Sequence, residues 1–208
     1  MISQCFGLAD NGGSPPIPTD YIASCSNDDA YTAPSNVHKI AIMGSSMVGK
    51  TDICNRLLGA PLSSYKPTLQ DTVTVPVRRG RSSRNYEITD LGDPCEFPPI
   101  YRLNILRCSS FLLVYSPAKP DSYEVVCDIV EDIRELKESL DGCNIVIVCN
   151  RYLGDEPEND VVVGGLSGCD LVHASAVNNE NIDTIWNILI VRHRRHKHRA
   201  AAARVIED

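Results

Sequence analysis

The residues best suited to chemistry lie together in the stretch Gly44-Ser45-Ser46-Met47-Val48-Gly49-Lys50-Thr51. A glycine, four residues and then Gly-Lys-Thr is the pattern of a loop that wraps backbone N–H groups around a phosphate chain. Lys50 would supply a fixed positive charge to the outer phosphates, and the Thr51 hydroxyl a ligand for magnesium. Such a loop must sit between a strand and a helix, because the strand end anchors it and the helix N-terminus adds further unpaired N–H groups. An apolar strand ending at Met43 and a helix over Lys50–Leu58, with Asp52 in its first turn, provide that setting. A chance match in a glycine-bearing turn is the competing reading, and the flanking elements weigh against it.

Around this loop, short β-branched runs alternate with amphipathic stretches from Val37 onward, which is the pattern of parallel strands joined by helices. Strands are predicted at His38–Met43, Thr72–Arg78, Asn85–Thr89, Phe111–Tyr115, Asn144–Cys149 and Leu171–Ala174. The turn-rich link Arg79–Ser83 between the second and third suits a hairpin and hence one antiparallel edge strand. Between Asp121 and Leu140, Val125, Val126, Ile129, Val130, Ile133, Leu136 and Leu140 recur at helical spacing, with acids on the other face. A last helix begins near Asn179, with Ile182, Ile185, Trp186 and Leu189 on one stripe. The predicted class is α/β: a P-loop NTPase with a six-stranded, mostly parallel sheet, helices on both faces and one antiparallel edge strand.

A length of 208 residues suits one domain with extensions. No apolar run approaches the roughly 20 residues that span a bilayer, and Met1–Pro18 lacks the basic start and apolar core of a signal peptide. A cytoplasmic location is expected. Residues 1–36, rich in Gly, Pro, Ser, Asn and Asp, are expected to be a disordered extension. The domain then covers 37–191, and 192–208 form a basic tail. None of the nine cysteines has a partner at zinc-site spacing, so most read as small buried hydrophobes in a reducing compartment. Net charge is −7, although Arg192–Arg199 holds five Lys and Arg and no acid. An acidic body with one basic arm does not fit nucleic acid binding across a broad face.

The phosphate loop, the segment Tyr65-Lys66-Pro67-Thr68 and the strand order together resemble the Ras superfamily of small GTPases over roughly Val37 to Val191. Phe97-Pro98-Pro99-Ile100-Tyr101-Arg102-Leu103 is most similar to the Ras and Di-Ras subfamilies. The resemblance implies GTP/GDP and magnesium as ligands and assigns Pro67 and Thr68 to a first switch loop, with Thr68 closing on magnesium and the terminal phosphate. Protein effectors would read that loop, because a segment held by one phosphate loses its order when the phosphate leaves. A plain turn before a strand is the bland alternative for Lys66-Pro67-Thr68.

Three family motifs are altered. The Asp-x-x-Gly loop appears as Thr89-Asp90-Leu91-Gly92-Asp93-Pro94, out of register. Either Gly92 aligns and Thr89 takes the aspartate position, or Asp90 keeps its place as a metal-side residue and Asp93 replaces the glycine. In both registers the water-positioning glutamine is gone, and Ser46 and Met47 crowd positions where Ras has small glycines, so very slow hydrolysis is expected. The guanine-reading Asn-Lys-x-Asp appears as Asn150-Arg151-Tyr152-Leu153. Arg151 would lie across the base as the family's lysine does. Leu153 accepts no hydrogen bond, which should cost about 1.5–3 kcal/mol and weaken discrimination against adenine, unless Asp155 reaches in. The family's Ser-Ala-Lys matches Ser175-Ala176-Val177, whose N–H groups would contact the base. Between Leu153 and Cys169 no helical stripe is visible, so the family's helix there is expected to be short or missing.

The tail segment 192–199 suits an anionic membrane surface at the inner face of the plasma membrane, an import receptor, or a metal through its histidines; a solvated helix end is the plainest reading. The chain ends Ile206-Glu207-Asp208 and has Ile2 at its second position, so neither prenylation nor myristoylation is expected. Two functions compete. One is a GTP-binding switch; the other is a pseudo-GTPase serving as a protein-interaction module. An ATP-dependent enzyme is a third, without an identifiable substrate-binding insertion.

Overall fold

The apolar runs build one sheet in a computed structural model, which describes residues 37–62, 64, 66–79, 82–138, 140, 142–152, 166, 168 and 169–190. The expected N-terminal extension and basic tail, Leu153 and Asp155 lie outside the described residues, as does most of the segment where a family helix was expected to shorten. In chain order the elements are β1 (Val37–Met43), α1 (Lys50–Leu57), β2 (Gln70–Arg79), β3 (Ser82–Leu91), α2 (Pro98–Arg107), β4 (Ser110–Tyr115), α3 (Asp121–Lys137), β5 (Asn144–Asn150) and β6 (Asp170–Ala174). A helix α4 follows over 182–190.

The strand order is β2-β3-β1-β4-β5-β6. All neighbours are parallel except β2 and β3, which pair antiparallel from Gln70↔Leu91 to Arg79↔Ser82. The edge strand β2 tolerates Pro76 because one side of its backbone has no ladder to complete. β4 and β5 are buried throughout, as continuous apolar runs in a two-sided sheet must be.

Side-chain alternation divides the core into two layers. Ile40, Ile42, Leu112, Val146 and Val148 pack with α1 and with Ile182, Ile185, Trp186 and Leu189 of α4. Ala41, Met43, Phe111, Leu113, Ile145 and Ile147 face the other way, onto Tyr101 and Ile105 of α2 and Val126, Ile129, Val130 and Ile133 of α3. Each Ile, Leu, Val, Met or Phe among them contributes about 1.5–3 kcal/mol on full burial.

Helix boundaries differ from the sequence reading. α3 stops at Lys137, short of Leu140, because Glu138 takes a left-handed backbone with φ 62°. α4 starts at 182, after Asn179 and Asn181 turn the chain with φ of 58° and 57°. α2 has no counterpart in the sequence reading: it opens on a proline pair, buries Tyr101, Asn104 and Ile105, and leaves Leu103 and Leu106 exposed. Of the seven described cysteines, all free, only Cys54, Cys108 and Cys149 are buried. Burial pushes the Cys108 thiol up to about 11, so it is inert. Among the described residues no helix is long and apolar enough to cross a membrane.

Candidate functional site

Because β1 has parallel neighbours on both sides, with its own connection running to β2 and β3 on one side and the connection from β3 crossing to β4 on the other, a crevice opens beyond the carboxyl ends of the strands. The segments after β1, β3, β4, β5 and β6 all reach this edge. Gly44 begins the first of them with φ 142°, and a Cβ there would run into the carbonyl oxygen of Val114 on β4. The loop therefore lies directly on the neighbouring strand, which only glycine permits. Met47 is left-handed at φ 62° and 71% exposed, a backbone cost of the kind binding loops store. Gly49 caps α1 without any side-chain hydrogen bond to the helix end, leaving the first-turn N–H groups uncapped by side chains.

Of the residues singled out from sequence, Ser46, Met47, Gly49, Lys50, Thr51, Asp52, Pro67, Thr68 and Gly92 line one cavity of about 340 Å³. Gly44, Ser45 and Val48 are buried behind it. The Lys50 ammonium donates to the carbonyls of Gly44 at 3.0 Å and Ser45 at 2.7 Å, folding back over the loop. Burial lowers its pKa, and the charges of Asp90 and Asp93 pull the other way.

The metal-side residues meet as well. Thr51 Oγ1 donates to Asp90 Oδ2 at 2.6 Å and lies 3.4 Å from Thr68 Oγ1. Asp90 is 3% exposed and its Oδ1 is buried without a hydrogen-bond partner. Burial pushes this carboxyl up; the Thr51 hydroxyl and Lys50 charge only partly offset that. An orphaned buried carboxylate oxygen beside two hydroxyls is an all-oxygen donor set that fits a hard cation such as magnesium. Among the described residues there is no cluster of three or more His, Cys, Asp or Glu that could hold a metal, so an ion at Asp90 needs hydroxyl and phosphate oxygens to complete its shell.

The base-side residues form a second layer. Asn150 Nδ2 donates to Val48 O at 2.9 Å, and Asn150 Oδ1 accepts from the Ala176 amide at 3.1 Å. Asn150 thus ties the phosphate loop to the turn after β6, while Ser175 Oγ accepts from Asn178 within that turn. Arg151 points its guanidinium at His173 Nδ1, 3.2 Å away on β6, and Tyr152 is the member of this segment that lines the cavity.

Six residues lie outside the site residues predicted from sequence. Lys66, Leu91, Asp93, Glu96 and Tyr152 line the cavity. Lys119, just beyond β4, donates to Ser45 Oγ at 2.7 Å and Ser46 O at 3.1 Å. Only its place at the carboxyl edge of a central strand could have signalled that role.

A model of the Ras family matches residues 39–194. The chain belongs to the Ras family. Within it, the chain is 29% identical over 163 residues to the GTP-binding protein Di-Ras2 of Macaca fascicularis, covering 75% of this chain and 81% of that protein. It is 28% identical over 169 residues to the GTP-binding protein drn-1 of Caenorhabditis elegans, with 76% of each chain covered. Human GTP-binding protein Rhes matches at 27% over 169 residues, 74% of this chain and 64% of its own.

At the altered Asp-x-x-Gly segment, Asp90 and Gly92 both reach the site. Asp90, not Thr89, meets Thr51; the Thr89 hydroxyl pairs instead with Thr72 across the hairpin, at 3.2 Å. Gly92 donates its N–H to Leu69 O at 3.0 Å, and a Cβ there would collide with the Thr68 carbonyl. The segment therefore reads Asp90-Leu91-Gly92, and Asp93 follows the glycine.

Proposed function

We propose that this chain is a guanine-nucleotide-binding switch of intracellular signalling, using magnesium with GTP or GDP, and hydrolysing GTP very slowly. The observation that carries the reading is that Lys50, Thr51 and Thr68, from two separate segments, line one cavity beside a phosphate loop, with Asp90 of a third segment held to Thr51 behind it. Relatives named as GTP-binding proteins support guanine as the base. Asn150 acts there as a positioning residue, holding the base-side turn against the phosphate loop, and Leu153 loosens the choice of guanine over adenine.

Slow hydrolysis follows from Asp93, which takes the place after Gly92. Both its oxygens accept from backbone amides, Ser46 at 2.9 Å and Cys95 at 3.0 Å, so it does not orient water as a glutamine does. Single-turnover hydrolysis of bound GTP is expected to be at least about tenfold slower than that of a Ras protein with its glutamine; an equal rate would refute this part of the account.

Magnesium dependence should reside in Asp90. Its native carboxyl titrates above the ordinary range, so ionising it without a cation costs stability as pH rises through that range to the native value. Asp90→Asn is expected to leave the ion-free protein at least as stable at neutral pH while abolishing the magnesium-dependent rise in melting temperature with GDP. Thermal unfolding with and without magnesium reads both effects.

Effectors would dock around Thr68, where Leu69, 47% exposed, and Phe97, 46% exposed, present apolar surface beside the cavity. A cytoplasmic protein with reversible, salt-sensitive membrane contact through 192–199 completes the reading. The second reading, a pseudo-GTPase used as an interaction module, is favoured by internal satisfaction of the loop: Lys50 on its carbonyls and Asp93 on its Ser46 amide. Identifying the nucleotide released from purified protein separates the two.

A further inference from the structure

The phosphate loop already holds an anion supplied by the chain itself. Asp93 Oδ2 accepts from the Ser46 amide at 2.9 Å, and Oδ1 accepts from the Cys95 amide at 3.0 Å, so both carboxylate oxygens are engaged in one orientation. Burial alone would push this carboxyl up, yet the two amides and the nearby Lys50 and Lys119 hold it below the ordinary range. It stays ionised at neutral pH. The chain has little freedom to withdraw it. Gly92 is pressed against the Thr68 carbonyl, and Pro94 restricts the backbone of the residue before it.

Resting on the reading of this cavity as a nucleotide site, we propose that Asp93 is a built-in surrogate for the terminal phosphate and makes the site select nucleoside diphosphate over triphosphate. Ser46 stands three residues before Gly49, the cap of α1, and its amide meets the segment after β3. A carboxylate on its N–H group satisfies the same donor that an outer phosphate oxygen would use. A diphosphate leaves that contact intact. A triphosphate brings further negative charge against Asp93, and must either displace it from two hydrogen bonds or bind beside a like charge. Lys119, which grips Ser45 and Ser46, keeps the rim closed around the carboxylate. The resting form is therefore diphosphate-bound, and entry of triphosphate requires the segment after β3 to let go of the loop.

The test measures affinities of the full chain for GDP and for a non-hydrolysable GTP analogue with magnesium, in the wild type, Asp93→Asn and Asp93→Glu. Asn keeps the shape and an acceptor for the Ser46 amide but removes the charge; Glu keeps the charge. The wild type is expected to favour GDP by about tenfold or more. Asp93→Asn should raise analogue affinity about tenfold and leave GDP affinity within about twofold, whereas Asp93→Glu should retain the preference for GDP. An analogue-to-GDP ratio unchanged in Asp93→Asn, with GDP still bound, overturns the surrogate role and leaves the nucleotide site standing. Failure of all three proteins to bind either nucleotide overturns the site reading and this inference with it.

Discussion

Lys50→Ala should lower affinity for magnesium-bound GDP about 100-fold or more while the protein remains folded. Lys50 is 8% exposed, and its ammonium has two loop carbonyls as hydrogen-bond acceptors. A buried lysine costs desolvation energy, and that cost opposes the charged form here. Such a group is tolerated where an anion repays it, and a charge-assisted contact to phosphate in a sheltered crevice is among the stronger single interactions available. Equilibrium titration with a fluorescent GDP analogue checks the affinity, and circular dichroism checks the fold. Unchanged affinity would mean that the ammonium serves only to brace the loop.

The second large effect is on stability. Gly44→Ala should cost about 3 kcal/mol and lower the melting temperature by about 6–12 °C. Two penalties act together: φ 142° is a conformation that L side chains rarely adopt, and the added methyl would strike the Val114 carbonyl. Val114 lies near the carboxyl end of the buried strand β4, paired with Val148 on β5, so it cannot move aside cheaply. The loop must then lift off the sheet, and nucleotide affinity should fall with stability. Thermal unfolding in excess EDTA, without nucleotide, isolates the structural part of the loss. A shift under about 1 °C would contradict the close packing of loop on strand.

Much of this architecture is legible in residue order because it is encoded locally. Strand periodicity, the β2–β3 hairpin and the stripe of α3 each depend on neighbours a few positions apart; β2 and β3 pair antiparallel as that pattern implies, with strand residues running to Arg79 and from Ser82, and the α3 stripe holds as far as Lys137. The phosphate loop is legible for the same reason: its glycines, lysine and threonine form one short motif. α2 was hidden because its buried residues, Tyr101, Asn104 and Ile105, form a narrow and partly polar stripe, while Leu103 and Leu106 face outward. Nothing in such a segment has strong helical periodicity.

The site residues that escaped notice act over long chain separations. Asp93 reaches Ser46 across 47 positions and Lys119 reaches Ser45 across 74. Their proximity exists only once β1, β3 and β4 are aligned side by side. The register around Asp90 was ambiguous for a related reason. Neither alignment satisfies the family motif alone, since one lacks the aspartate and the other the glycine; the hydrogen bond from Thr51 to Asp90 and the close approach of Gly92 to Thr68 keep both residues at the site.

Titration calorimetry of the full chain with GDP, GTP and ATP, each with magnesium, tests the account most directly. Saturable heat with GDP at a stoichiometry of one, weaker binding of GTP, and loss of that heat in Lys50→Ala are the expected results. No heat with any of the three nucleotides, from protein freed of bound nucleotide, would contradict it.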